Sequence, residues 1–346
     1  MRASSTARGT TGPTPARPFP APPKAPALPA TARVEACRKL LATARAAGPS
    51  AAARPLLAAL EAALPVTRGS RAEASEPVLG ATHVQSLLAA LRSTPAATLH
   101  RLSALLSQAG ARAPGLEKAL LLKAFASHAP KLDAVERFAR AIRGKPASEL
   151  SDRTSPLDLD LSNPRSEGLA QRWSGSCVVT SAQLLRAEAD PTYAWSLTAR
   201  AAGSEQKKIL EAFGGVAVDR DAPGGSGIVY GRIGEVPAAV NAGVPSKGYT
   251  QVSLDWLSPP VRQQRLANVR ACLERGEDVL FTVLGHCLAL TDARPFADGA
   301  TRYLVQDPWH GTGQWITAEQ LLLTGFPLPG FGQALTATNF YLPQGT

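Results

Sequence analysis

The stretch QRWSGSCVVTSAQLL, residues 171–185, decides how the second half of this 346-residue chain is interpreted. Small residues, Ser174-Gly175-Ser176, precede Cys177, and apolar residues follow it. This pattern predicts a turn that places Cys177 in the first turn of a buried helix. Because a helix N-terminus favours anions, the cysteine is a candidate thiolate nucleophile. A buried structural cysteine is the alternative interpretation.

A candidate base lies more than 100 residues later, in GHCLALTDARPFADGATRYLVQDPWHG, residues 285–311. Two β-like runs flank a turn in this segment and predict an antiparallel hairpin. If Ala293 pairs with Ala300, then His286 faces Asp307, and facing residues have Cβ atoms about 5 Å apart. A carboxylate at that position would orient the imidazole of a catalytic histidine.

Gln171 completes the candidate site. Attack of a thiolate on a carbonyl develops negative charge on the carbonyl oxygen, and preorganised donors stabilise that charge. A glutamine amide six residues before Cys177 is a candidate donor, although a solvated loop glutamine is the alternative. Two other residues are weaker candidates for the site: Asp292 lies about 20 Å along the strand from His286, and His310 follows a Pro-Trp turn.

These motifs together resemble the papain-like cysteine peptidases. QRWSGSC has the glutamine-to-cysteine spacing of that superfamily, while ACLERGEDVLFTVLGH, GHCLALTD and YLVQDPWHG resemble its bacterial double-glycine leader peptidase branch. The resemblance covers residues 165–345. It implies Cys177 as nucleophile, His286 as general base, Asp307 as orienting acid and Gln171 as oxyanion donor, with neither cofactor nor metal.

The chain departs from the family pattern in three places. Val178 stands where papain has an aromatic residue after the cysteine. His286 follows Cys177 by 109 positions, a longer gap than compact members show, and the glycine-rich insert at 219–234 occupies part of it. These departures leave open what the enzyme acts on more than which residue is the nucleophile.

Composition divides the chain into four parts. Residues 1–30 are rich in Pro and Ala and predict a disordered leader. Residues 31–145 contain apolar residues at helical spacing and predict a basic all-helical domain. Residues 146–164 predict a linker, and residues 165–346 predict a domain of the α+β class, with helices early and antiparallel strands late. The family resemblance implies that this last domain is a papain-like catalytic domain.

Individual elements are predicted from the same periodicities. Six helical segments are expected in the helical domain, at 32–47, 53–65, 82–93, 97–110, 114–128 and 131–144. In the catalytic domain, helices are expected at 177–189, 205–213 and 259–276, and strands at 278–285, 286–293, 301–308, 313–316 and 334–342.

Charge and cysteine content limit the compartment and the partners. Residues 1–150 hold 21 Lys and Arg against 8 Asp and Glu, whereas residues 151–346 hold 16 against 19. The excess of positive charge in residues 1–150 fits either a solvated surface or contact with a phosphate-containing or membrane partner. Four cysteines favour a reducing compartment. The sequence shows neither the apolar stretch of a secretory signal nor a membrane span. We therefore predict a cytoplasmic protein or one exported without a general secretion signal.

Other classes of site fit the sequence less well. GGSG at 224–227 lacks the ending of a phosphate-binding loop, and the cysteines and histidines lack paired zinc spacing. Three phenylalanines are the only aromatic residues in 1–150, which argues against nucleic-acid binding. The predicted partner is a protein or peptide substrate, and the predicted activity is that of a cysteine peptidase. A papain-like deamidase, transglutaminase or acyltransferase effector acting on a protein glutamine is the alternative, followed by an inactive binding module.

Overall fold

A computed structural model describes most of the chain after residue 30. The predicted leader, His310, Ser174, Gly175 and most of the 219–234 insert lie outside the described residues. The described ranges are 31–68, 76–154, 169–171, 173, 176–197, 199–212, 216–218, 227–229, 240–241, 248–296, 298–309, 311–328 and 331–344.

The first part of the described chain is helical, and all six predicted helices are present. The helices are α1 (Thr31–Ala46), α2 (Arg54–Ala63), α3 (Ala81–Ser93), α4 (Ala96–Ser107), α5 (Pro114–His128), α6 (Asp133–Ile142) and α7 (Ala147–Thr154). Two short strands, β1 (Thr67–Arg68) and β2 (Glu76–Pro77), pair antiparallel between α2 and α3. Leucines at helical spacing account for the core, as in α2, where Leu56, Leu57 and Leu60 are all buried.

Helix α7 corrects one prediction, because it occupies the first part of the expected linker 146–164. It is held by Leu150, which is fully buried in the core of the helical region. Thr154 at its end donates a hydrogen bond from its side chain to the Leu150 carbonyl oxygen. Residues 155–164 of the linker lie outside the described residues.

The second part of the chain is α+β, as predicted. Its helices are α8 (Cys177–Ala189), α9 (Pro191–Ser196), α10 (Ala199–Ala212) and α11 (Pro259–Glu274). A short π-helical segment spans Gln320–Thr324. The strands are β3 (Val216–Val218), β4 (Gly227–Val229), β5 (Tyr249–Ser253), β6 (Val279–Val283), β7 (His286–Pro295), β8 (Thr301–Asp307), β9 (Thr312–Thr317), β10 (Phe326–Pro327), β11 (Ala334–Leu335) and β12 (Asn339–Pro343).

One six-stranded antiparallel sheet organises this region, with strand order β5-β12-β6-β7-β8-β9. Strand side chains alternate between its two faces. Leu280, Cys287 and Ala289 pack with α8 on one face, and Phe281 and Leu288 pack with α11 on the other. The sheet therefore lies between α8 and α11, with hydrophobic cores on both sides.

The turn between β6 and β7 sets the start of the strand that carries His286. Val283 faces His286 across a two-residue turn, Leu284-Gly285. Both turn residues have positive φ, 26° for Leu284 and 78° for Gly285. Two-residue hairpin turns need positive φ to match the twist of the flanking strands. His286 is therefore the first residue of β7, at one end of the sheet.

The register of the β7–β8 hairpin differs from the prediction. Ala293 faces Tyr303 and not Ala300, because β7 continues to Pro295, which faces Thr301, and the loop therefore lies at residues 296–300. The prediction that His286 directly faces Asp307 is therefore wrong. A hairpin register depends on loop length, and the sequence of this loop carries no turn signal specific enough to define it.

A β-bulge at Thr291 places Asp307 on the same face of the sheet as His286. Between His286 and the bulge, Ala289 of β7 faces the residue immediately before Asp307 in β8. Continuing that register by one pair puts Asp307 opposite Leu288, so it is a diagonal neighbour of His286. Without the extra residue, Asp307 would pair with Ala289 and point to the opposite face. The bulge thus allows the contact between His286 and Asp307, which the register at the loop end of the hairpin would otherwise prevent.

The helical region and the sheet region share a junction built around α9. Trp195 of α9 belongs to the hydrophobic core of the helical region. Its ring meets Phe138 edge-on, with centroids 6.2 Å apart, and the Arg153 guanidinium lies 3.7 Å above it. The buried ammonium of Lys123 in α5 bonds Glu188 of α8 at 2.9 Å. The helix that begins at Cys177 is therefore fastened at its other end to the helical region.

Candidate functional site

Cys177 is the first residue of α8, as the sequence predicts. Its neighbour Ser176 occupies the N-cap position, but its side chain does not cap the helix. Instead the Ser176 hydroxyl accepts a hydrogen bond from the Trp173 amide at 3.2 Å and donates one to the Trp173 carbonyl at 2.8 Å. This closed turn leaves the first-turn amides of α8 around Cys177, where they favour an anionic sulfur. The side chain is buried, with 5% of the residue exposed.

His286 and Asp307 form a buried hydrogen-bonded pair. The Nε2 atom of His286 lies 2.7 Å from Oδ1 of Asp307, and both side chains are only 3% exposed. The Trp309 backbone amide donates to the same Asp307 oxygen at 2.9 Å. This second donor fixes the carboxylate, which in turn fixes the orientation of the imidazole.

The bond to Asp307 leaves Nδ1 as the imidazole nitrogen available to Cys177, whose thiol interacts with His286. Burial by itself lowers the pKa of an imidazole. Hydrogen bonds and charge interactions with Asp307 and Cys177 outweigh burial and raise the pKa of His286 from 6.5 to about 9. At neutral pH the imidazole is therefore protonated in this environment, next to the sulfur and the carboxylate.

Two aromatic rings enclose the imidazole. Trp309 packs edge-on to His286 with ring centroids 5.9 Å apart, and Phe331 lies at 5.6 Å. Rings at these distances exclude water from the imidazole and strengthen its electrostatic contacts. Neither aromatic was predicted as a site residue. The only sequence signal was that Trp309 follows Asp307 closely, in the Asp-Pro-Trp segment.

Gln171 lies in the loop before Cys177 and is joined to the loop after Asp307. Its backbone amide donates to the Pro308 carbonyl oxygen at 2.7 Å. Its side-chain Nε2 donates to the Trp173 carbonyl at 3.2 Å. An amide nitrogen carries two hydrogens, so this bond uses one, and the other is the donor that the predicted oxyanion role requires.

A second cysteine lies beside the first. Cys287 and Cys177 belong to the same small buried cluster between α8 and the sheet. Ser181, one helical turn after Cys177, donates to the Cys287 carbonyl oxygen at 3.1 Å. Complete burial, with the neighbouring Cys177 charge, raises the pKa of the Cys287 thiol well above its usual range. Cys287 is therefore an unreactive thiol and a matched internal control for Cys177.

The remaining candidates lie away from this group. Asp292 is buried next to the bulge and forms an ion pair with Arg294. A cleft of about 310 Å³ lies at the far end of α8, between the helical region and Asp278, and holds none of the predicted site residues. In the described part of the chain, no three His, Cys, Asp or Glu side chains are grouped to hold a metal ion.

Comparison with protein-family models, curated proteins and solved structures finds no match to this chain. None of the helices formed by the described residues is long and apolar enough to cross a membrane.

Replacing Asp307 with asparagine tests what holds the imidazole proton. The hydrogen bond and charge of Asp307 both raise the pKa of His286, so Asp307→Asn should lower that pKa from about 9 and deprotonate the imidazole at lower pH. NMR titration of the His286 ring protons measures this shift. Asp298→Asn, which removes an exposed carboxylate from the same hairpin, is the control. An unchanged His286 titration in Asp307→Asn would contradict the assigned cause.

Proposed function

We propose that this protein is a papain-like thiol hydrolase that cleaves amide bonds in a peptide or protein. The observation that carries the proposal is the buried His286–Asp307 pair at 2.7 Å, whose imidazole also interacts with the Cys177 thiol. A nucleophile, a base and an orienting carboxylate in this order form the arrangement used for acyl transfer through a thioester.

The mechanism assigns one step to each side chain. His286 holds the proton of the Cys177 thiol, and the sulfur attacks the carbonyl carbon of the substrate amide. The amide of Cys177 and the side chain of Gln171 stabilise the oxyanion. His286 then protonates the leaving amine, which departs and leaves a thioester on Cys177. A water molecule, deprotonated by His286, attacks the thioester, releases the acid and regenerates the thiol.

Asp307 keeps the imidazolium oriented through both proton transfers. The Trp309 amide and the burial of the pair prevent the carboxylate from rotating away. The surrounding aromatic rings exclude bulk water, so the charges on the sulfur and the imidazole interact in a medium of low dielectric constant. No step of this mechanism requires a cofactor.

Thiol labelling tests whether Cys177 is the nucleophile. With a low concentration of iodoacetamide at pH 7, peptide mass mapping should find the adduct at Cys177 at least about ten times more often than at Cys287, Cys272 or Cys37. All three of these cysteines are completely buried. Equal slow labelling of the four cysteines would contradict an activated Cys177.

The products formed from a substrate then distinguish hydrolysis, deamidation and transfer, which all pass through a thioester. Incubation of a peptide mixture with the wild type, but not with Cys177→Ala, should release fragments that carry new termini. Cys287→Ala is the matched control and should retain cleavage. A mass increase of about one unit on intact peptides would instead indicate deamidation, and addition of an amine would indicate transfer.

A further inference from the structure

Four large apolar side chains are exposed in the part of the chain that the structure describes: Trp256, Leu284, Trp309 and Leu323. We call these four residues the apolar rim. Trp256 is entirely exposed, which is rare for the largest side chain. Scattered exposed leucines need no explanation, but a group of large apolar residues in one place marks a binding surface.

The β-sheet places two rim residues at one end, beside His286. Strand β5 ends at Ser253, which faces the first residue of β12, and Trp256 follows three residues later. Strand β6 ends at Val283, next to Leu284, and β7 begins at His286. In antiparallel neighbours the end of one strand lies beside the start of the next, so these positions lie at the same end of the sheet.

The other two rim residues extend the same edge. Trp309 follows the last residue of β8 and packs against the His286 ring. Leu323 lies in the π-helical segment, which is fixed at this end by a hydrogen bond from the Ala337 amide to the Leu321 carbonyl. The Arg262 side chain donates to the carbonyls of Leu257 and Leu322, the neighbours of Trp256 and Leu323. The four rim residues therefore lie at the same end of the sheet as His286, and Trp309 contacts its ring.

Backbone geometry also singles out this edge. Among the described residues, Trp256 (φ 63°) and Leu284 (φ 26°) are the non-glycine residues with positive φ. Bulky side chains rarely adopt this conformation because of steric conflict with the backbone. Strained residues persist where the surrounding structure holds them, and they concentrate at binding and catalytic sites.

The dimensions of the edge suit an extended polypeptide. Four strand spacings separate β5 from β8 in the sheet order, which corresponds to about 19 Å. An extended chain of about six residues covers that distance. The charges next to the rim have both signs, with Asp255 and Glu319 exposed and Arg262 bonded to carbonyls. A membrane-docking surface would instead combine apolar tips with clustered Lys and Arg.

We infer that the apolar rim binds large apolar side chains of a polypeptide substrate as it crosses the end of the sheet. This inference rests on the proposed thiol hydrolase. It assigns the substrate class as an extended polypeptide with Leu, Ile, Phe or Trp within a few residues of the attacked amide. Trp256 is the outer anchor, and Trp309 contacts the residue nearest the imidazole.

Binding is measured with Cys177→Ala protein, so that no probe is consumed. The probes are synthetic 12-residue peptides that contain Leu and Phe, and the same peptides with Ser in their place. The apolar peptides should protect Trp256 from quenching by iodide, because the other described tryptophans are more shielded. Trp256→Ser should weaken their binding by roughly 10- to 30-fold, as expected for the loss of a large aromatic anchor.

The control is Trp315→Phe, which changes a tryptophan packed against Phe296 at the far end of the β7–β8 hairpin. It should leave peptide affinity unchanged. Because Trp256 is fully exposed, its substitution should not alter the unfolding midpoint, which separates lost binding from lost folding.

Two results would overturn the inference. The first is that proteins with Trp256 and with Trp256→Ser bind the apolar peptides with equal affinity. The second is that phosphatidylserine vesicles protect Trp256 from iodide while the peptides do not. Failure of the proposed hydrolase appears elsewhere, as unselective labelling of Cys177. Selective labelling with unchanged peptide binding would reject the rim alone, whereas rim-dependent binding without labelling would reject only the chemistry.

Discussion

His286→Gln is expected to reduce the turnover of a cleaved peptide by about 10³-fold, since general acid–base catalysis by one side chain contributes 10²–10⁴. Glutamine fills part of the imidazole volume and can still donate to the buried Asp307 oxygen, so the carboxylate keeps a partner. It cannot accept a proton from the Cys177 thiol. The loss should therefore appear in kcat rather than in KM, because substrate contacts are preserved.

Alkylation of Cys177 provides a substrate-free measurement on the same variant. At pH 7 the rate of reaction with iodoacetamide should fall by at least about 10-fold, because the cation beside the sulfur is lost and the thiolate is the reacting form. Equal rates at pH 7, with an unchanged unfolding midpoint, would contradict the assignment of His286 as the base.

Lys123→Met is expected to destabilise the protein by about 3–5 kcal/mol, because it leaves the Glu188 carboxylate without its ammonium partner in a buried site. The side chain of Lys123 is 1% exposed, so water cannot replace it. Urea unfolding measures the loss. Since Glu188 lies in the last turns of α8, the variant also tests whether the helical region supports the helix that carries Cys177.

Two further variants separate a buried charge from ordinary surface electrostatics. Lys123→Met/Glu188→Met replaces both charges with apolar groups and should recover most of the lost stability. Arg101→Met breaks an exposed pair with Glu136 and should cost less than about 1 kcal/mol. A cost for Lys123→Met as small as that of Arg101→Met would show that the junction between the two regions is weak.

Much of the secondary structure follows from local patterns. Six of the seven helices of the first region and the helix that begins at Cys177 were predicted, because apolar residues recur on one helix face and small residues punctuate the ends. Strands β6 to β9 were predicted by apolar, β-branched runs. Strand β10 was not predicted, and the run predicted as one strand at 334–342 forms two, β11 and β12. Strand β5 was not predicted, since YTQVS has a polar, half-exposed pattern and pairs along one edge only.

Contacts between distant elements were not readable from those patterns. A solvated face was one interpretation of the basic residues in the helical region, since charged residues are exposed unless a partner meets them, but Lys123 is buried. Its partner Glu188 lies 65 residues away and is brought near by packing of α5 on α8. Trp195 likewise completes a core that belongs to the first region of the chain. Local periodicity carries no information about which buried faces meet.

The sequence by itself determined most of the helices, strands β6 to β9, the position of Cys177 at a helix start and the identity of the candidate base and acid. Only the tertiary structure decided that His286 and Asp307 meet. Their contact depends on a five-residue loop and on one extra residue at Thr291, which together set the strand register. Because successive strand side chains point to opposite faces, a change of one residue separates the pair. That choice comes from the packing of the whole sheet against α8 and α11, and a short segment does not encode it.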